Sequence, residues 1–202
     1  MSKEQRQKKY NDIFKHPKIV ELIKSRRRVR DHGEVMTPFK TVADLINMIP
    51  DEYWQKKGIK FPVLEDSCGS GNILLGIILK KLDAGLFPID AINSTWGVDI
   101  CPENIAEARD NVYDLIKGSF RKTSKEHAKA ICIIHHNIFV VEDTLSLYKE
   151  IESKDYFCNT NGHKKLIDQV VNVLKSGEDW TFETILPNNR MVKEDAYLRR
   201  IG

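Results

Sequence analysis

Residues 64–72, Leu64-Glu65-Asp66-Ser67-Cys68-Gly69-Ser70-Gly71-Asn72, set carboxylates, a thiol and two glycines within one short stretch. Glycine lets a backbone turn sharply and approach a ligand closely. A helix that follows directly offers free N–H groups and the positive end of its dipole. A carboxylate on the strand before such a turn can hold a cationic amino group. A dinucleotide fingerprint would need a third glycine three positions after Gly71, and an acid about 20 residues on. Position 74 is Leu74 and Asp99 lies further away, so that fingerprint fails. An ordinary strand-to-helix turn stays open as the alternative. The second segment is Trp96-Gly97-Val98-Asp99-Ile100. An acid ending a strand can accept both hydroxyls of a ribose; Asp99 can equally cap the helix announced by Pro102. The third is Gly33-Glu34-Val35-Met36-Thr37-Pro38, which also reads as a loop leading into a helix cap.

Other residues carry less. His135-His136 reads as part of a strand, where neighbours point to opposite faces; with no third ligand at useful spacing, no metal site is expected. Cys68, Cys101, Cys132 and Cys158 contain no CxxC pair, which argues for free thiols in a reducing, cytoplasmic-type compartment. Arg26, Arg27, Arg28 and Arg30 form a basic run suited to phosphates or to a solvated helix end. Trp54, Trp96 and Trp180 read as packing residues. Leu186-Pro187-Asn188-Asn189 has polar acceptors but no aromatic partner and reads as a turn ending a strand.

The elements that must position these groups follow from periodicity. Thr37–Ile49 is expected to be a helix, with Thr37 as N-cap, Pro38 at its first position and Pro50 as its stop. Phe61–Glu65 reads as a strand and Asn72–Leu82 as a buried helix. Thr95–Ile100 reads as a strand, then a helix runs from Pro102 to about Lys117. Ala130–Val141 is expected to hold one or two strand pieces, residues 163–175 an amphipathic helix, and Trp180–Leu186 a last strand. Strand, glycine turn, helix, strand, acid, helix, strand is the order of a parallel, Rossmann-like α/β sheet, in which ligands sit at the carboxyl ends of the strands.

The 202 residues favour a single domain with a short extension. The net charge of +3 hides an asymmetry: eleven basic and three acidic residues fall within the first 30, leaving 21 basic and 26 acidic for the rest. Apolar positions such as Ile13, Phe14, Ile19 and Leu22 make short helices the expectation there. No apolar run approaches the roughly 18 residues of a membrane span, and the N-terminus lacks the apolar core of a signal peptide.

Taken in order, GEVMTP (33–38), LEDSCGSGNILL (64–75) and GVDICPENIAEAR (97–109) resemble the adenine-specific DNA methyltransferases of restriction–modification systems and their phage-borne relatives. Their pattern runs GEVFTP, LDPACGSGNFL, GIDIxxxNxxxAR. The resemblance covers about residues 28–145. It implies a Rossmann-like methyltransferase domain over 37–202, with its cofactor half at 60–145 and a divergent part at 146–202, behind a basic helical extension at 1–36. It implies S-adenosyl-L-methionine as cofactor and DNA as partner, in a bacterial or phage-infected cytoplasm. By position, Glu65 would sit near the methionine amino group, and Cys68, Gly69 and Gly71 would form the turn against which the cofactor lies. Asp99 would bind the ribose hydroxyls, Ile100 would pack on the adenine, and Thr37 and Pro38 would cover the methionine moiety. Asp143 would meet the adenine amino group, with Leu145 beside it. One departure is plain. The family holds its target amino group with Asn or Asp, then Pro-Pro, then Tyr or Phe, and stacks the flipped base on that ring. No such tetrapeptide occurs in this chain, and no Pro-Cys pair either. Two readings follow: an adenine methyltransferase whose catalytic loop is divergent or supplied by a partner or second copy, or a degenerate module that binds the cofactor, a protein or nucleic acid without methyl transfer.

Overall fold

The computed structural model describes residues 37–55, 62–141 and 162–186. Three short strands make a parallel sheet in the order β1-β2-β3: β1 (Val63–Glu65), β2 (Thr95–Asp99) and β3 (Ile138–Val140). Leu64 faces Trp96 across the first pair, and Asp99 faces Val140 across the second. Helices α1 (Phe39–Asn47) and α2 (Asp51–Gln55) precede the sheet. Helices α3 (Asn72–Asp83) and α4 (Pro88–Asn93) connect β1 to β2, and α5 (Pro102–Ile116) and α6 (Lys125–Asn137) connect β2 to β3. Helices α7 (Gly162–Ser176) and α8 (Phe182–Ile185) follow. The chain is therefore α/β, with a parallel sheet flanked by helices.

Strand periodicity divides the core. Val63, Gly97, Ile138 and Val140 share one face of the sheet, where Gly97 leaves room for the Leu74 side chain of α3. Leu64, Trp96, Val98, Phe139 and Val141 cluster on the opposite face. All five β2 residues are buried, as expected of a central parallel strand. The main core joins α3, α5, α6, α7 and α8 through residues such as Leu75, Ile105, Ile131, Val170 and Phe182. A smaller one seats Val42, Ile46 and Trp54 on Ile77 of α3.

Three sequence expectations change. Pro38, in extended conformation, is the N-cap of α1 in place of Thr37, and no side chain caps that end. Residues 125–137 are helix, so only Ile138–Val140 of the run expected as strand is strand. Ser124 starts this helix by accepting the His127 N–H at 3.1 Å. A continuous buried apolar run such as Ile131–Ile134 hides the helical period, and length has to arbitrate. Residues 182–185 are a helical turn where a strand was expected. Thr181 and Thr184 form a reciprocal capping box, and the buried side chains Phe182, Ile185 and Leu186 recur at helical spacing.

Among the described residues, no helix is long and apolar enough to cross a membrane, and no group of three or more His, Cys, Asp or Glu gathers as a metal site.

Candidate functional site

The carboxyl ends of β1 and β2 meet at the glycine turn. The Cys68 N–H donates to the Val98 carbonyl at 2.8 Å, which fastens the turn to β2. The Gly71 N–H closes back on the Cys68 carbonyl at 2.8 Å. Gly69 and Gly71 have φ of 51° and 94°, in the left-handed region that glycine alone adopts cheaply. Gly71 is doubly constrained, because a Cβ there would lie 3.2 Å from the Ala108 Cβ of α5. Helix α3 starts directly after it, with its first backbone groups at the strand ends.

Asp99 ties this turn together. Its Oδ2 accepts the Gly69 N–H at 2.9 Å, and its Oδ1 accepts the Cys101 N–H at 2.8 Å and an Asn104 amide hydrogen at 3.4 Å. It is only 8% exposed, whereas the next residue, Ile100, is 56% exposed. A buried carboxylate thus stands beside an apolar side chain open to solvent. Asp99 accepts the N–H of Cys101, the N-cap residue of α5, and also that of Gly69 in the glycine turn.

Glu65 ends β1 half-buried. Burial raises its carboxyl above the ordinary value, the neighbouring Asp66 charge adds to this, and a hydrogen bond from the Ser67 backbone opposes it. Among the described residues no cation pairs with it. The Cys68 thiol is pushed far up by burial, then by the charges of Asp99 and Glu65. That places both carboxylates around one buried sulfur and makes Cys68 a packing residue of the turn, with no thiolate available at neutral pH.

Three asparagines brace the site. Asn72 donates to the Thr37 carbonyl at 3.0 Å, which brings the segment before α1 to the start of α3. Asn111 of α5 donates to the Ser70 carbonyl at 3.0 Å. Asn104 reaches Asp99, as above. Arg109 holds the entry to β3: its Nε donates to the Ile138 carbonyl at 2.8 Å and its Nη2 to the His135 carbonyl at 3.2 Å, with Glu183 of α8 3.6 Å from Nη1. Sequence reading gave none of these four a role, although all but Asn111 stand inside the quoted motifs.

The structure thus brings Thr37, Glu65, Cys68, Gly69, Gly71, Asp99 and Ile100 to one end of the sheet, with Pro38 exposed next to Thr37. Asp143, Leu145, Arg26, Arg27, Arg28 and Arg30 lie outside the described residues, as do positions 187–189. His135 and His136 are on helix α6, not on a strand. The His135 carbonyl is bonded by Arg109, and His136 packs edge-on to Trp96 and His163 at 5.4 and 5.7 Å. Neither a family model, nor a curated protein, nor a solved structure matches this chain.

Proposed function

We propose that the chain is an S-adenosylmethionine-binding domain of Rossmann-like methyltransferase type, related in kind to the adenine-specific DNA methyltransferases that its three motifs resemble. The observation that carries this reading is the Gly69–Asp99 contact. It joins the glycine turn after one strand to the acid ending the next, with Glu65 on one side and exposed Ile100 on the other. The residues fit the cofactor's parts. Glu65, desolvated and without a cation among the described residues, suits its amino group. Asp99 suits the ribose hydroxyls, Ile100 the adenine face, and the Thr37–Pro38 segment the methionine end. When bound, the cofactor would supply a methyl group activated by the sulfonium.

A specific observation favours the non-catalytic form of this reading. The Asn/Asp-Pro-Pro-Tyr/Phe tetrapeptide is absent from the sequence, and the stretch before Pro187 is a helical turn, so no strand there presents Leu186-Pro187-Asn188-Asn189 as a catalytic loop. We therefore rank cofactor binding first and methyl transfer to the adenine amino group as dependent on a partner or second copy.

Isothermal calorimetry with S-adenosylmethionine and S-adenosylhomocysteine tests the first claim. Binding is expected, and Asp99→Ala should weaken it by the loss of charge-assisted hydrogen bonds, about 1.5–3 kcal/mol for each before compensation. Unchanged affinity in that variant sinks the role of Asp99. Transfer of a labelled methyl group to adenine-containing DNA by the chain alone would refute the non-catalytic form.

A further inference from the structure

We infer that, on the cofactor reading above, Asn72 is a positioning residue that selects for a ligand carrying an amino-acid tail. It is the first residue of α3, directly after the left-handed Gly71, and is 6% exposed. Its amide donates to the Thr37 carbonyl at 3.0 Å, across 35 residues of chain. One turn further on, Gly76 of α3 faces Val42 and Ile46 of α1. The two helices therefore lie side by side with their starts together, at the carboxyl end of the sheet. Thr37 precedes a proline, which favours extended backbone, and Pro38 is itself extended, with ψ 145°. The segment ahead of α1 is thus held as a short wall beside the glycine turn.

This wall stands on the β1 side of the turn. Val63 of β1 packs against the same Val42, Ile46, Trp54 and Ile77 cluster that seats α1 on α3. Glu65 lies two residues after Val63, on the same face of the strand. Asp99 ends β2, the neighbouring strand, and binds the turn from there. A ligand laid across the strand ends with its ribose at Asp99 and its amino group at Glu65 brings its amino-acid tail to Thr37 and keeps its nucleoside away from it. The apolar seat of α1 lies one to two turns beyond the Asn72 bond. Loss of that bond therefore frees the wall without detaching the helix, and the tail half of the ligand is the half that senses it.

Calorimetry on the full chain compares S-adenosylhomocysteine with 5′-methylthioadenosine, which has the same nucleoside and thioether but no amino-acid tail. Asn72→Ala should weaken S-adenosylhomocysteine by roughly three- to tenfold, the scale of one net hydrogen bond, and leave 5′-methylthioadenosine within about twofold. Asn72→Ser, too short to reach Thr37 but still polar at the start of α3, should give the same split. In the wild type the bond must persist in the complex, so the Asn72 side-chain amide protons should exchange with solvent no faster when S-adenosylhomocysteine is bound. An equal loss for both ligands marks Asn72 as a support of the turn and overturns the positioning role. No loss for either ligand, or faster amide exchange in the complex, overturns it as well. So does failure of the wild type to bind 5′-methylthioadenosine, because the nucleoside then has no site separate from the tail's. In each of these cases binding of S-adenosylhomocysteine leaves the cofactor reading standing. No heat of binding for S-adenosylhomocysteine to the wild type overturns both.

Discussion

Glu65 has a carboxyl held above its ordinary value chiefly by burial. An ion pair with a cationic amino group needs the ionised form, so on the proposed cofactor reading affinity for S-adenosylhomocysteine should rise as pH climbs above the ordinary carboxylate range, and Glu65→Gln should flatten that rise in calorimetry. The fold responds with the opposite sign. The folded carboxyl keeps its proton more tightly than the unfolded one, so the ligand-free chain loses stability as pH climbs through that window. Gly71→Ala should cost about 1–3 kcal/mol in urea unfolding, from the left-handed φ and the contact with Ala108. The glycines and acids of the site were legible in the sequence because their chemistry is local to a strand end. The asparagine braces were not. Asn104 and Asn111 sit on a helix, where asparagine reads as polar surface, and the groups they and Asn72 hold lie in other segments.

Helix α3 carries a residue that its sequence position disguises. Lys81 is 1% exposed and lies one turn after Ile77 and Ile78 on the buried side. Its Nζ donates to the Ser94 carbonyl at 2.6 Å and to the Ser94 and Thr95 hydroxyls at 3.0 Å each. These bonds tie the end of α3 to the start of β2. Burial lowers its pKa to about 7, from an ordinary value of 10.5. Between those values the unfolded chain binds more protons than the folded one, so this residue makes stability rise with pH from about 7 to about 10; urea midpoints of Lys81→Met should lack that rise. At the middle of α3, a Cβ on Gly76 would come within 2.4 Å of Ile46 Cδ1 and 2.6 Å of Val42 Cγ1. Gly76→Val should lift α1 from α3 and cost about 1–3 kcal/mol, while Gly76→Ala offsets part of the crowding with about 1 kcal/mol of helix propensity. At this scale the sequence located α3, β2 and α5 to within a residue or two, since glycine and proline punctuate them. It misassigned α6 and α8. An unbroken apolar run has no visible period, and β-branched Thr181 and Thr184 suggest a strand until their reciprocal capping is seen.

For the whole molecule, charge asymmetry is the main property the composition reveals. If the basic first 30 residues grip nucleic acid, affinity for duplex DNA should fall steeply with salt, by about 0.9 in log–log slope for each phosphate contact. Alanine at Arg26, Arg27, Arg28 and Arg30 should flatten that slope in a fluorescence anisotropy titration; an unchanged slope would remove them from the interface. The parallel α/β class was legible because turn, helix and strand alternate in order. Which distant segments meet at the site was not, because each meeting is a tertiary contact. The Gly69–Asp99, Asn72–Thr37 and Asn111–Ser70 bonds span 30, 35 and 41 residues. Helices can form from near neighbours, whereas these bonds wait for long loops to close. The cluster at the strand ends is therefore expected to assemble late in folding. A partial opening that leaves every helix intact is enough to take that cluster apart, and any ligand seated there would add its own free energy to the closure of those loops.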